Sequence, residues 1–545
     1  MRNQMRMKCA LALAGASLLA CGAWAQPTAK NDEAVKPPVR TAEVTAEVTA
    51  EVTTDGTLTV NGQAIAYTAV AGTLTVGGTE ATDAELGLDG KLLPEYAATA
   101  PKDAKDAAPT ARMFYVAYFK KGSAAEKRPV TFLYNGGPGS STMWLHMGCF
   151  GPRRVVVPDT KHPEGAPYTV GNNEFSLLDA SDLVFIDAPG TGFSRIFGKD
   201  AGKAFYGIDP DGMAFARFIR RFLTKYNRWD SPKYLMGESY GTPRSAVLSA
   251  DLRGIDLNGV ILLSTFLSFD NSVDEPKLNP GVDQAYALAL PTYAATAWYH
   301  HKLPNPPATL DALLPQVEEW ALGEYMHALL EGAALPEAER QKVAEQLHNY
   351  TGLPVDYLLK SNLRVEGGAY SKMLLDATDT STGRLDTRYT GPDYDPLSEQ
   401  AQYDPQSNAV SSAYTAAINS YLRQTLKYGA EQTYKPNAYR DPDFNWKFRN
   451  SEGGQNVMPS LAHAMKANPE MHVLVAGGYY DLATPFFEGK FEMLHLPIPN
   501  DLQKNIEYHY YPAGHMIYVN DGALRQFHSD VAGFIQRTED GGATK

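Results

Sequence analysis

Tyr234-Leu235-Met236-Gly237-Glu238-Ser239-Tyr240-Gly241 decides how the rest of the chain is read. A short apolar run, Tyr234–Met236, meets a Gly-x-Ser-x-Gly turn, and Arg244–Leu252 beyond it is compatible with a helix. Strand, tight turn and helix in that order form a nucleophile elbow. The glycines relieve crowding at a strained corner that pushes the serine hydroxyl out above the sheet edge. An inert serine on a surface turn would need none of that context.

Working outward, other continuous apolar runs alternate with helix-like stretches. Val130–Tyr134 runs into the Gly-rich loop Asn135-Gly136-Gly137-Pro138-Gly139-Ser140-Ser141, and Leu183–Ile186 into Asp187-Ala188-Pro189-Gly190. Phe215, Phe218, Ile219, Phe222 and Leu223 fall at helical spacing. Val260–Leu263, Val473–Ala476 and Ile506–Tyr511 read as further strands, and Leu524–Ile535 as a closing helix. Such alternation predicts an α/β fold with a mainly parallel sheet covered on both faces. Residues 271–452 break the pattern. With helix-like Leu310–Leu330 and Pro336–Tyr350 and much Pro, Asp, Tyr and Asn, they predict a mostly helical lid between the two sheet-forming parts, 101–270 and 453–538.

The N-terminus predicts export. Arg2, Arg6 and Lys8 precede an apolar stretch from Cys9 to Cys21, and Ala23-Trp24-Ala25 is a small-x-small cleavage pattern, giving a signal peptide over 1–25. Leu18-Leu19-Ala20-Cys21 is a poorer match to a lipoprotein site. Residues 26–55, with the repeat TAEVTAEVTAEVT at 41–53, read as a flexible linker, and 56–100 as a small β segment with an Asn61-Gly62 hairpin turn. Residues 539–545 are a tail. Of three cysteines only Cys149 outlasts the leader, so no internal disulfide is available to the mature chain and its core must hold it. A periplasmic or secreted location fits.

Composition excludes other classes. A net charge of −13 over 545 residues disfavours nucleic acid, which needs clustered cations. No further apolar run reaches the length of a membrane span. The Gly-rich loop lacks both the Gly-Lys-Ser/Thr and the G-x-G-x-x-G pattern of phosphate sites, and without H-E-x-x-H or cysteine pairs no metal and no cofactor is expected.

A serine at its ordinary pKa needs a base, and the base an acid to orient it. In α/β-hydrolases these follow in the order Ser, acid, His. His515, in Ala513-Gly514-His515-Met516, comes just after the strand Ile506–Tyr511, whereas His495 lies away from any strand end and His528 inside the closing helix. Asp481 lies five residues past Val473–Ala476, ahead of its rival Asp501 in a Pro/Asn loop. Ser239, Asp481 and His515 are the expected catalytic residues. The amides of Gly137 and Tyr240 are placed to form an oxyanion hole.

Together Asn135–Ser141, Gly151-Pro152, Asp187–Ser194, Met236–Gly241 and Ala513–Met516 resemble the serine carboxypeptidase family, exported α/β-hydrolases that remove C-terminal residues from peptides. The resemblance implies an α/β-hydrolase fold with a large helical insertion, peptide or protein C-termini as substrate, and binding of the terminal carboxylate by Asn135 and Glu238, with Gly136 in the same loop. A carboxyl can hold an anion only by sharing a proton with it, which implies a raised pKa and an acidic preference. This chain departs from the family pattern at Cys149, where a second Glu is usual, and at Leu133, where a Trp is usual. Arg153 or Arg154, directly after Gly151-Pro152, is expected to take over part of the carboxylate binding and flatten the acid preference. An esterase or acyltransferase using the same triad is the alternative reading, and a catalytically dead binding module a more distant one.

Overall fold

The computed structural model describes residues 50–97, 101, 103–448 and 455–539. The expected leader with Cys9 and Cys21, nearly all of the spacer, 449–454 around the expected end of the lid, and 540–545 of the tail lie outside the described residues.

Ten strands build one central sheet. They are β1 (Val52–Val60), β2 (Gln63–Gly77), β3 (Thr110–Lys120), β4 (Val130–Asn135), β5 (Asp182–Ile186), β6 (Arg195–Phe197), β7 (Lys233–Glu238), β8 (Gly259–Leu263), β9 (His472–Gly478) and β10 (Ile506–Tyr511). Their order is β1-β2-β3-β5-β4-β7-β8-β9-β10, with β6 paired to the end of β3. From β5 to β10 every neighbour is parallel, and β1, β2 and β3 pair antiparallel. Every residue of β4, β5, β7 and β8 is buried, as parallel strands covered on two faces must be.

One face is covered by α1 (Ile208–Lys225) and α2 (Gly241–Asp251), whose Phe215, Phe218, Phe222, Val247 and Leu248 pack on Phe132, Leu235 and Leu262. On the other, Leu524, Phe527, Val531 and Phe534 of the closing helix meet Leu133, Met236 and Ile261. The insertion between β8 and β9 holds α3 (Gln284–Tyr299), α4 (Leu310–Trp320), α5 (Glu337–Thr351) and α6 (Pro405–Ser420), mostly around a core of its own. After β9 come α7 (Phe486–Leu494) and, past β10, α8 (Asp521–Glu539). The helical pattern expected over Leu310–Leu330 is α4 continued by a wider turn at Ala321–Tyr325 and a short helix at Met326–Glu331. Among the described residues no helix is long and apolar enough to cross a membrane.

The expected hairpin forms around the Asn61-Gly62 turn: β1 and β2 pair in register from Val52↔Ala71 to Val60↔Gln63 and extend the central sheet beyond β3. The strand also starts before residue 56, at Val52, within the expected linker. Glu51 Oε2 accepts hydrogen bonds from Tyr115 (2.7 Å) and Tyr226 (3.1 Å) and pairs with Lys225, which fastens the start of β1.

Candidate active site

The sheet order places the three catalytic candidates at one edge. Ser239 follows β7, Asp481 follows β9, and His515 follows β10, all at carboxyl ends of parallel strands. Between them the end of β8 links the loops: Ser239 N–H donates to Leu263 O (2.9 Å), and the Ser264 hydroxyl donates to His515 O (2.8 Å).

Ser239 adopts φ 59°, the left-handed region, which costs a non-glycine residue about 1–3 kcal/mol and persists only where the surroundings enforce it. They do so here through absent side chains. A Cβ on Gly237 would lie 2.1 Å from Gly241 O, and one on Gly136 2.3 Å from Tyr240 N. The Gly-rich loop thus lies directly against the start of α2, the arrangement an oxyanion hole from Gly137 and Tyr240 requires, with the helix's positive end adding to it.

His515 is buried, and its Nδ1 donates to Asp481 Oδ2 at 2.7 Å. Asp481 also accepts from Ala483 N–H (2.9 Å), Thr484 N–H (3.0 Å) and the Thr484 hydroxyl (2.7 Å). An acceptor so fully engaged leaves the Nδ1 proton on the imidazole and Nε2 free to act as a base. Burial alone would lower the His515 pKa, but the Asp481 carboxylate outweighs it and holds the pKa above the ordinary value, with a smaller push from Glu238.

Beside the nucleophile, Asn135 Nδ2 donates to Glu238 Oε2 (2.9 Å), while Asn135 Oδ1 accepts from Leu145 N–H (3.0 Å). Burial pushes Glu238 up to about 7, against the pull of His515 and the bonds from Tyr518 and Asn135. The Tyr518 hydroxyl, at 3.0 and 3.1 Å from the two Glu238 oxygens, was not legible as a site residue, although it lies three residues past His515. Cys149 is a buried free thiol near this carboxyl, and burial holds it protonated.

Arg244 is another residue that motif reading misses. Fully buried, it donates from Nε to Asp211 Oδ2 (2.6 Å) and from Nη1 to Asn135 O (2.6 Å), with its guanidinium 4.4 Å from the Phe215 ring centre. It ties the elbow helix to the Gly-rich loop. Arg244→Met would strand the buried Asp211 carboxylate, so a loss of about 3–5 kcal/mol in unfolding free energy is expected by chemical denaturation, much of it recovered in Arg244→Met/Asp211→Leu.

Arg153 and Arg154 have partners other than Glu238, although Arg154 acts on Cys149 and Tyr414, as Glu238 does. They open a short strand, Arg153–Val155, whose alternation sends neighbouring side chains opposite ways. Arg153 reaches the β1–β2 hairpin at Thr57 O (3.4 Å), and Arg154 pairs with Asp521 at the start of α8 (2.6 Å). His528 pairs with Asp179 (3.2 Å), and His495 Nδ1 bonds to Phe491 O (2.7 Å), both structural as expected.

The insertion reaches the Gly-rich loop. Ser141 N–H donates to Pro436 O (2.9 Å) and Ala438 N–H to Gly139 O (2.8 Å), so a segment of the insertion runs along that loop. Tyr439 there fills the space that a side chain on Gly137 would need, and Trp446 stands edge-on to Tyr240 at 5.0 Å. Among the described residues no group of three or more His, Cys, Asp or Glu side chains is placed to hold a metal.

Sheet order, elbow and the Asp–His pair define an α/β-hydrolase fold. Within it, residues 104–251 match the family model described as serine carboxypeptidase, and the resemblance read from the sequence is borne out. Pheromone-processing carboxypeptidase KEX1 of Phytophthora infestans is 32% identical over 143 residues, 24% of this chain and 21% of that protein. The protein of the same name from Yarrowia lipolytica is 29% identical over 162 residues, 29% of this chain and 25% of that one. Serine carboxypeptidase-like 36 of Arabidopsis thaliana is 29% identical over 137 residues, 24% of this chain and 26% of that protein. The chain thus matches only about a fifth to a quarter of the length of these curated relatives. Among solved structures, a prohormone-processing carboxypeptidase from Saccharomyces cerevisiae aligns over 86% of this chain and 91% of its own, with TM-score 0.48 and 13% identity.

Proposed function

We propose that the protein is a serine-type carboxypeptidase that hydrolyses the C-terminal peptide bond through an acyl-enzyme on Ser239. The observation that carries this reading is the buried Asn135–Glu238 pair directly beside the nucleophile. Ser239 Oγ attacks the last peptide carbonyl as His515 Nε2 takes its proton. The amides of Gly137 and Tyr240 stabilise the oxyanion. The imidazolium then protonates the departing amino acid, and water, deprotonated by His515, releases the shortened peptide. Asn135 and protonated Glu238 hold the terminal carboxylate, so the enzyme acts on free C-termini. We place it outside the cytoplasm, since residues 1–25 have the form of an export signal.

Mass spectrometry of one peptide with a free and an amidated C-terminus tests this. Stepwise loss of single residues from the free form, and far slower cleavage of the amide, is the expected result. Equal turnover of both would contradict recognition of a free C-terminus, and cleavage of esters alone would favour the esterase reading.

The pH dependence has a definite sign. Below about 7 Glu238 is protonated and donates to the substrate carboxylate; above it, its charge repels that carboxylate. Activity on peptides should fall on the alkaline side as this proton is lost. Glu238→Gln, which has no proton to lose, should abolish the alkaline limb and leave the acid limb of kcat/KM, set by His515, close to its parental position. A pH–rate profile of the two proteins checks this.

A further inference from the structure

The acid and base loops are gripped from outside by one loop of the insertion. Strands Thr380–Thr382 and Thr390–Pro392 form a small antiparallel ribbon, and the loop it carries, 383–389, lies across the ends of β9 and β10. Leu482 N–H donates to Arg384 O (3.0 Å), Thr387 N–H donates to Tyr480 O (2.9 Å), and His515 N–H donates to Leu385 O (2.6 Å). Asp481 is therefore bracketed by bonds on both of its chain neighbours, and His515 is held through its own amide. The Thr387 hydroxyl adds a bond to Tyr480 O (3.2 Å).

This loop is itself fastened. Asp404, 7% exposed, accepts the N–H groups of Arg384 (2.6 Å) and Leu385 (2.7 Å) on Oδ2, while its Oδ1 caps α6 through Ser407 N–H (2.5 Å). Arg388 joins Asp386 (2.6 Å) to Asp159 (3.0 Å), and Arg384 forms a two-point pair with Asp274 (2.8 and 2.6 Å). Close approach to the base loop depends on Gly514, since a Cβ there would lie 2.3 Å from the Asp386 Cβ.

We infer that loop 384–387 is a positioning strap that sets the Asp481–His515 pair in register with Ser239, and that Asp404 is the positioning residue holding the strap. Asp404 acts through main-chain groups and touches no reacting atom. A carboxylate that accepts two consecutive amides on one oxygen fixes the peptide planes between them. Those same residues present the carbonyls that Leu482 and His515 bond to. Releasing them lets the imidazole shift, and a displacement of about 1 Å in such a constellation lowers turnover on the order of 10²-fold. The inference rests on the triad proposed above but holds for peptide or ester substrates alike.

The test uses the full chain, with fluorophosphonate as the active-site probe. Asp404→Ala should lower kcat on the order of 10²-fold with KM within about twofold, and slow labelling of Ser239 by a similar factor. Because Asp481, Glu238 and Arg384 are the charged groups acting on His515, a looser Asp481 contact should also move the acid limb of the pH profile downward. Asp404→Asn, which keeps an acceptor oxygen for the two amides, should restore most of the rate. Should Asp404→Ala not fold, Thr387→Val removes only the hydroxyl bonds, and a several-fold loss of kcat at constant KM is expected.

A folded Asp404→Ala protein with parental kcat, labelling rate and pH profile would overturn the inference, whatever happened to its melting temperature. So would an unchanged Thr387→Val enzyme. A parent that does not label at all would instead sink the triad.

Discussion

Replacing Ser239 by Ala is expected to lower kcat by about 10⁶-fold with little change in KM. That size follows from how the elbow is built. The strand ends at Glu238, Ser239 takes φ 59°, and α2 begins at Gly241, so the hydroxyl is the single group presented at the corner. Alanine keeps the corner and its hydrogen bond to Leu263 O. Only the nucleophile goes, and the remaining acceleration is what substrate binding and the oxyanion hole supply, about 10³–10⁴ over water. A loss below about tenfold, in a protein that is folded and saturates with substrate, would mean that another group attacks the carbonyl.

Asp481→Asn should cost about 10⁴-fold in kcat while leaving the fold intact. The side chain is isosteric, and its oxygen can still receive Ala483 and Thr484. Its amide, however, would face His515 Nδ1 with a donor, which favours the imidazole tautomer bearing the proton on Nε2. That tautomer cannot accept from the serine. Without the adjacent carboxylate the imidazolium is also less stable, so the acid limb of the pH profile should move down from its raised position. Steady-state kinetics at several pH values separate the two effects: the tautomer lowers the plateau, and the lost charge shifts the limb.

Much of this was legible because the deciding chemistry is local. An elbow needs glycines at fixed positions around its serine: a Cβ on Gly237 would lie 2.1 Å from Gly241 O, and one on Gly241 would sit tight against Tyr134 O at 3.0 Å. Buried parallel strands need unbroken apolar runs, which is why β4, β5, β7 and β8 stood out. A base must follow a strand end, which separated His515 from His495 and His528.

Residues whose roles depend on pairing across the chain were not legible. Tyr518 meets Glu238 over 280 positions, Arg244 meets Asn135 over 109, and nothing in Gly383-Arg384-Leu385-Asp386 marks a loop that returns to the catalytic edge. The partners of the two arginines were equally hidden, since position in a strand, not nearness in sequence, fixes where a side chain points. Likewise the start of β1 was hidden inside a compositional repeat, where Val52 and Thr53 look no different from the copies before them.

Labelling with a fluorophosphonate, followed by peptide mapping, addresses the convergence of the three side chains most directly. The expected outcome is a single phosphonyl adduct on Ser239 that forms rapidly in the parent and is nearly abolished in His515→Ala. Labelling that is absent, maps to another serine, or proceeds as fast without the imidazole would contradict it.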